Sequence, residues 1–156
     1  MTEVVVEQES VVAAPIEQVW ERVVDPEGIN DELRPWMTMS MPSGAEGLSI
    51  ETIEVGEPIG RSWIRLFGIL PVDYDDLTVA ELEPGRSFRE ESTMLSARTW
   101  RHERTLAPTA SGGTHVHDRL TFAPRVPGRA SAALQQRIIA ALFRHRHRRL
   151  AAHFSG

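Results

Sequence analysis

The chain has 156 residues and a mass of 17.5 kDa; 41% of its residues are hydrophobic and 25% are charged. This balance is typical of a globular protein, and the length suits one domain over residues 1–156. The absence of cysteine excludes disulfides, thiolate catalysis and cysteine-based metal sites. No run of 18 apolar residues occurs, and the start Met1-Thr2-Glu3 lacks a signal-peptide pattern. We therefore expect a cytoplasmic protein without integral membrane association.

The charge is divided unevenly along the chain. All 17 basic residues are arginine, and six of them lie in residues 129–156, which contain no acidic residue. The first 128 residues hold the other 11 arginines and all 22 acidic residues. An acidic body with a basic tail differs from the basic surface of a nucleic-acid-binding protein, so we expect no nucleic-acid partner. We expect the tail to dock on the acidic body, with Arg146 or Arg149 meeting a carboxylate.

The first predicted elements are a strand and two short helices. Residues 3–12 are rich in valine and run into Ala13-Ala14-Pro15, which predicts a strand followed by the start of a helix. A second start follows at Asp25-Pro26, where the aspartate can cap the helix and the proline can open it. Each helix has an apolar side, formed by Ile16, Val19, Trp20 and Val23 in the first and by Ile29 and Leu33 in the second.

Strand patterns continue from Trp36 to about Arg125. Met37, Met39 and Met41 share one strand face, and turns rich in Gly, Pro or Ser separate the further predicted strands at 48–54, 61–70, 77–83, 86–94, 98–106 and 114–122. Short strands joined by short turns predict an antiparallel sheet. About 25 residues of helical pattern then run from Ser131 to Phe154, with a broad apolar side at Leu134, Ile138, Ile139, Leu142, Phe143, Leu150 and Phe154.

The order of these elements predicts an α+β fold in which a curved antiparallel sheet wraps a long C-terminal helix. With the segments at 14–20 (Ala-Pro-Ile-Glu-Gln-Val-Trp), 25–27 (Asp-Pro-Glu), 100–102 (Trp-Arg-His) and 114–120 (Thr-His-Val-His-Asp-Arg-Leu), it resembles the START-like (SRPBCC) superfamily. That helix-grip superfamily includes Bet v 1 relatives, polyketide cyclases and lipid carriers. The resemblance implies binding of a hydrophobic small molecule, such as a lipid, polyketide or isoprenoid, in a cavity between sheet and helix. The alternative that it implies is a polyketide cyclase or aromatase using the same cavity.

Strand alternation predicts a row of polar side chains inside that cavity. On 98–106 and 114–122 the odd positions are polar throughout, so the even positions, which include Trp100, His102, Asp118 and Leu120, must face inward. A turn centred on Ala110 would set His102 opposite Asp118 and Trp100 opposite Leu120. A turn centred on Ser96 would set Glu90 opposite His102. We therefore expect a Glu90–His102–Asp118 row within an apolar cavity.

Three roles remain open for this row. It can be a hydrogen-bonded strut between strands, a set of polar anchors for a mostly apolar ligand, or an acid–base group in the cyclase alternative, with His102 and a carboxylate moving protons. Besides Trp100 and Leu120, the apolar residues expected to line the ligand are Met39, Trp63, Phe88, Ile138 and Leu142.

Other motifs point away from metals and common cofactors. His115-x-His117 is half of a possible metal site, but the sequence specifies no third ligand, so we predict no metal. The sequence contains no glycine-rich phosphate loop and no hydrolase or metalloprotease motif, and we predict no cofactor. A partner-binding protein that uses its surface is supported only by the charge asymmetry. We expect a monomer or a homodimer.

Overall fold

The computed structural model describes residues 3–42 and 52–155. Across these residues seven antiparallel strands form one sheet in the order β1-β7-β6-β5-β4-β3-β2. The strands are β1 (Val4–Val12), β2 (Met37–Met39), β3 (Pro58–Leu66), β4 (Leu70–Glu83), β5 (Ser87–Met94), β6 (Ala97–Pro108) and β7 (Thr114–Pro124). The helices are α1 (Ile16–Val23), α2 (Pro26–Leu33) and α3 (Arg129–Phe154). The sheet curls into a half-barrel, so the α+β fold predicted from the sequence is confirmed.

Both short helices lie where the sequence predicts them. In α1 the buried residues are Val19, Trp20 and Val23, which share one side of the helix, and Pro15 precedes its first turn. In α2 Pro26 is the first helical residue, and Asp25 occupies the N-cap position without a side-chain capping bond.

The hairpin between β3 and β4 differs from the sequence prediction. The predicted strand 61–70 is interrupted by a turn, in which Phe67 and Gly68 have φ of 54° and 75° and the Ile69 amide donates to Leu66 O at 3.1 Å. Two successive residues with positive φ make the tight turn typical of hairpins. β4 therefore starts at Leu70 and is 14 residues long. The strand predicted at 48–54 lies largely outside the described residues, and 52–54 are not in a strand.

The register of β6 and β7 corrects the predicted pairing. Arg104 lies opposite Asp118, and His102 lies opposite Leu120, because the turn is centred on Ser111 and not on Ala110. The reason is a five-residue turn over 109–113, closed by a hydrogen bond from the Thr109 amide to Gly113 O at 2.9 Å. A shift of two residues keeps every side chain on its face, so the predicted inward positions are unchanged. The predicted pairing of Glu90 with His102 is confirmed.

A polar layer divides the core beneath α3 into two apolar clusters. One cluster includes Val12, Leu106, Val116 and Leu150, and the other includes Val6, Leu120, Phe122 and Phe143. On β1, β6, β7 and α3, polar side chains separate the two apolar groups, and they include Ser10, His102, Arg104, Asp118 and His147. Buried polar atoms need hydrogen-bond partners, so this layer concentrates the chemically informative contacts of the fold.

Candidate functional site

Asp118 is the centre of the polar layer and is fully buried. Its Oδ1 accepts hydrogen bonds from His102 Nε2 at 2.7 Å and from Arg104 Nε at 2.8 Å. Its Oδ2 accepts from Arg104 Nη2 at 2.7 Å and from His147 Nε2 at 2.6 Å. Three donors from β6 and one from α3 thus converge on this carboxylate of β7, which joins β6 and β7 to α3.

A second buried carboxylate extends this network to α2. Glu32 is 1% exposed and accepts both terminal nitrogens of Arg104 at 3.0 Å. Arg146 on α3 donates from Nε to Glu32 Oε1 at 3.1 Å and lies over the Phe143 ring. Arg149, also on α3, donates to the Asp31 carboxylate at 2.8 Å. The prediction that the basic helix meets carboxylates of the body is confirmed for both Arg146 and Arg149.

The pKa values within this network are set by a balance between burial and neighbouring charge. Burial alone would raise the pKa values of Glu32 and Asp118, but the Arg104 charge, Arg146 beside Glu32 and the hydrogen bonds outweigh it, so both carboxyls have lowered pKa values. Burial lowers the pKa of His102 more than Asp118 raises it. His102 is therefore neutral near pH 7 and donates its Nε2–H to Asp118.

His147 connects Asp118 to Ser10 on β1. Its Nε2 donates to Asp118, and its Nδ1 accepts a hydrogen bond from Ser10 Oγ at 2.5 Å. The order hydroxyl, imidazole, carboxylate resembles that of a nucleophilic triad. However, Asp118 already accepts three bonds from Arg104 and His102, so its charge is shared among donors and less available to stabilise an imidazolium. We interpret Ser10–His147–Asp118 as a strut that joins β1, α3 and β7.

Glu90 lies at the edge of the polar layer and differs from Glu32 and Asp118. It is half-buried on β5 opposite His102, and the charges nearest to it include another carboxyl, that of Asp75. Burial raises its pKa to about 7, and Asp75 adds to this, while Arg146 and Arg104 oppose it. The pKa of the Glu90 carboxyl is therefore close to neutral pH, and part of its side chain remains accessible.

The structure gathers six of the predicted site residues on the inward face. Phe88 is buried and packs edge-on against His102, with ring centroids 5.6 Å apart. Trp100 is half-buried and packs on Phe122 at 5.4 Å. This set, called the inward row below, consists of Phe88, Glu90, Trp100, His102, Asp118 and Leu120.

The remaining predicted site residues are not brought into the inward row. Trp63 is 41% exposed and shares the outer face of β3 with Arg61, because the neighbouring Ser62 is the residue that points inward. Met39 is half-buried in β2, near the end of the sheet, where its backbone bonds the Asn30 side chain.

On α3, the predicted site residues lie toward the edge of the packed side. Ile138 is 53% exposed and Leu142 is half-buried, because the buried residues of the helix are Phe143, His147 and Leu150. The polar residue His147 occupies the buried side that the sequence assigned to apolar residues.

Arg104, Glu32 and His147 were missed as site residues. Each nevertheless carries a signal in the sequence. Arg104 shares the inward parity of His102, so burying it required an acidic partner. Glu32 adjoins Leu33 on the apolar side of α2, and His147 falls four residues after Phe143 on α3. The partners come from segments far apart in the chain, so no local pattern could pair them.

The concavities at the surface of the described residues include the following two. One, of about 240 Å³, lies between β1 and α3 and is lined by Gln8, Ser10, Arg144, His147, Arg148 and Ala151. The other, of about 550 Å³, lies on the outer face of the sheet and is lined by Glu3, Val5, Arg101, Glu103, Thr105, His117, Arg119 and Thr121. No residue of the inward row lines either concavity. The smaller one is lined by His147, which donates a hydrogen bond to Asp118.

The described part of the chain contains no cluster of three or more His, Asp or Glu side chains arranged to hold a metal ion. Over the same residues, no helix has the length and apolar character needed to cross a membrane.

Comparisons with known proteins support the fold. A model of the family described as "Domain of unknown function (DUF8410)" matches residues 10–154. No curated protein matches the chain significantly.

Several solved structures share the architecture over nearly the whole chain. Protein CV1439 from Chromobacterium violaceum has a TM-score of 0.72 and 19% identity, covering 97% of this chain and 98% of its own. Zhui aromatase/cyclase from Streptomyces sp. R1128 has a TM-score of 0.72 and 14% identity, covering 97% and 93%. A START superfamily protein from Mycobacterium smegmatis has a TM-score of 0.69 and 12% identity, covering 96% of both chains. The chain therefore has a START-like (SRPBCC) fold.

Proposed function

We propose that this chain, which belongs to the family described as "Domain of unknown function (DUF8410)", binds a small, mostly apolar molecule between its sheet and α3. The ligand classes that we propose are lipids, polyketides and isoprenoids. The domain over residues 1–156, a cytoplasmic location and a monomeric or homodimeric state remain predictions.

The observation that carries this proposal is the composition of the inward row. Aromatic and aliphatic side chains surround a few polar groups, and one of these, Glu90, is half-buried with a raised pKa. Small-molecule sites typically combine apolar walls with a small number of placed polar groups. The polar layer around Asp118 is already saturated with internal hydrogen bonds, so Glu90 is the member of the row best able to meet a ligand.

The similar structures support the same class of function by their descriptions. One is an aromatase/cyclase and another is a START superfamily protein. At 12–14% identity the likeness extends to the fold, and function has to be argued from the residues of this chain.

Native mass spectrometry of protein purified from its own host tests the proposal directly. We expect a co-purifying apolar mass, and saturable binding of an apolar fluorescent probe such as anilinonaphthalene sulfonate after that mass is removed. Glu90→Gln should weaken ligand binding by several-fold, as for one lost hydrogen bond of about 1 kcal/mol. Glu91→Gln is the matched control, because Glu91 lies on the opposite face of β5 and pairs with Arg101. Absence of both a co-purifying mass and saturable probe binding would refute the proposal.

A second candidate function is catalysis of cyclase or aromatase type in the same place. The observation that favours it is the pairing of Glu90, whose pKa is raised to about 7, with His102, whose pKa is lowered. Groups that titrate near the working pH are suited to proton transfer. If the protein is such an enzyme, it should turn over a linear poly-β-ketone surrogate. Glu90→Gln should then reduce this turnover by roughly 10²–10⁴-fold while the variant still binds the surrogate. If the unmodified protein binds the surrogate without turning it over, catalysis is excluded and ligand binding is the function that remains.

A further inference from the structure

We infer that the bound molecule carries a cationic amine, and that Asp75 and Ser92 hold this amine at the β4–β5 part of the inward face. The inference rests on the proposed function and specifies the ligand class. It concerns two residues outside the inward row described above, together with Glu90 of that row.

Asp75 Oδ1 and Ser92 Oγ are buried polar atoms with no partner at full hydrogen-bond geometry among the described residues, although the Ser92 hydroxyl is close enough to lower the pKa of Asp75. Asp75 is 2% exposed on β4, and Ser92 is 9% exposed on β5. Within the part of the chain that the structure describes, Asp75 Oδ1 and Ser92 Oγ form no hydrogen bond. On its two neighbouring strands Asp75 lies opposite Met94 and the buried Ser62, and Ser92 lies opposite Leu77 and Trp100. Native proteins rarely leave buried polar atoms unsatisfied, so a ligand that supplies a donor is the natural complement.

The charge around Asp75 sets it apart from the other buried carboxyls. Among the described residues three carboxyl groups are buried, those of Glu32, Asp75 and Asp118. Glu32 and Asp118 are both paired with Arg104. The ionised neighbours of Asp75 are Asp73 and Asp76, which are acidic like itself. Since buried charges are normally paired, a positive charge is the complement that Asp75 calls for.

Glu90 extends this acidic region toward the inward row. It lies two residues from Ser92 on the same face of β5 and interacts electrostatically with Asp75. After Asp75, the charges that act most strongly on Glu90 are Arg146 and Arg104, which lower its pKa, and the Asp118 carboxylate acts more weakly in the opposite direction. A cation placed near Asp75 would be attracted by both carboxyls, and an ammonium group has three N–H donors for Asp75 Oδ1, Ser92 Oγ and Glu90.

The protonation states of these carboxyls provide an independent readout. Burial raises the pKa of Asp75 to about 6, with Asp73 and Asp76 adding to the rise and the Ser92 hydroxyl lowering it in part. Burial, with Asp75, raises the pKa of Glu90 to about 7. A bound cation favours the ionised forms, so both carboxyls should lose protons when an amine binds. Binding near pH 6.5 is therefore expected to release protons to the buffer.

The experiment compares three ligands with the same ten-carbon chain: decylamine, decanol and decanoate. Titration calorimetry at pH 6.5 in two buffers of different ionisation enthalpy measures both affinity and proton release. We expect decylamine to bind at least about tenfold more tightly than decanol, which corresponds to one charge-assisted hydrogen bond, and decanoate to bind most weakly. We also expect proton release with decylamine and none with decanol.

Variants test which residues cause the preference for decylamine over decanol. Asp75→Asn should remove the preference for the amine, and Ser92→Ala should reduce it while leaving the carboxyl groups in place. Asp76→Asn is the matched control, because Asp76 lies on the outer face beside Asp75 and pairs with Arg61. Circular dichroism and thermal melting establish that each variant is folded before it is titrated.

The outcomes separate this inference from the proposed function. Equal binding of decylamine and decanol would overturn the amine inference and leave the apolar-ligand function standing. An amine preference that survives both Asp75→Asn and Ser92→Ala would also overturn it. If none of the three ligands binds, the proposed function fails and the inference fails with it.

Discussion

Arg104 and Asp118 lie directly opposite each other on β6 and β7 and are joined by two hydrogen bonds, Nε to Oδ1 at 2.8 Å and Nη2 to Oδ2 at 2.7 Å. The remaining donor capacity of the guanidinium is directed to Glu32 on α2. A planar fork with donors on two edges can hold two carboxylates at once, which a lysine ammonium could not do with the same geometry. This one side chain therefore links two strands to a helix that is distant in sequence.

Replacing Arg104 should be among the most destabilising single changes in the protein. Arg104→Met leaves two carboxylates buried without their cation, and loss of one partner of a buried pair costs roughly 3–5 kcal/mol. Urea unfolding measures the loss. Arg101→Met is the control on the outer face of the same strand, where an exposed pair with Glu91 contributes about 1 kcal/mol or less. Equal losses in the two variants would contradict the assigned role of Arg104.

Glu32 should contribute to stability in an acid-sensitive way. Its pKa in the folded protein is lowered, because Arg104 and Arg146 outweigh the effect of burial. The stabilisation is therefore complete above the unfolded pKa, about 4.3, and is lost as the pH falls through the folded value. Urea unfolding from pH 3 to 6 should show that Glu32→Gln destabilises more at pH 6 than at pH 3. The exposed Glu27 on the same helix provides the control Glu27→Gln, and a pH-independent difference for Glu32 would refute the pairing.

Asp75 should act on stability in the opposite direction. Burial raises its pKa to about 6, so the folded protein holds a proton that the unfolded chain releases above about pH 4. The contribution of this group to stability therefore falls as the pH rises between about 4 and 6. We expect Asp75→Asn to become progressively more stable than the unmodified protein across this range, as measured by thermal melting. A difference that shrinks with rising pH would have the wrong sign.

His102 should stay neutral to a lower pH than an ordinary histidine does. Burial lowers its pKa more than the Asp118 carboxylate raises it, so the folded protein resists protonation. Stability from this group is complete above about pH 6.5 and declines as the pH falls toward the folded value. NMR titration should show the Nε2–H tautomer of His102 at pH 7 and a pKa under 6.5. A higher pKa would mean that the charge of Asp118 outweighs burial.

Ser10 should behave as a structural hydrogen-bond donor. Ser10→Ala removes the hydroxyl that bonds His147 Nδ1 and should cost about 1 kcal/mol, the net value of a typical hydrogen bond. The exposed Ser155, just after α3, provides the control Ser155→Ala, which should cost less. A fluorophosphonate probe should leave Ser10 unmodified in intact-mass spectra. Covalent labelling that Ser10→Ala abolishes would instead reveal a nucleophile.

The sequence pattern was sufficient for the fold and for the inward face of Glu90, His102 and Asp118, but it placed Trp63 on the wrong face. Turn residues and alternation marked most of the strands, and the pairing of Glu90 with His102 followed from the centre of one short turn. The β6–β7 pairing was displaced by two residues, since the sequence does not show that the turn over 109–113 closes on five residues. Because the displacement was even, His102 and Asp118 remained on the same face and still form a hydrogen bond.

The sequence by itself determined which residues could be buried, because alternation on strands and the 3.6-residue period on helices are local properties. It placed His102, Arg104 and Asp118 on the inward face of the sheet and Arg146 on the apolar side of the last helix. Only the tertiary structure decided which partners those groups meet. The pairing of Glu32 with Arg104 spans 72 residues of sequence, and that of His147 with Ser10 spans 137. Contacts of this kind depend on how α2 and α3 pack on the curled sheet, and no local pattern encodes that packing. The same packing leaves Asp75 Oδ1 and Ser92 Oγ buried with no partner at full hydrogen-bond geometry in the described part of the chain.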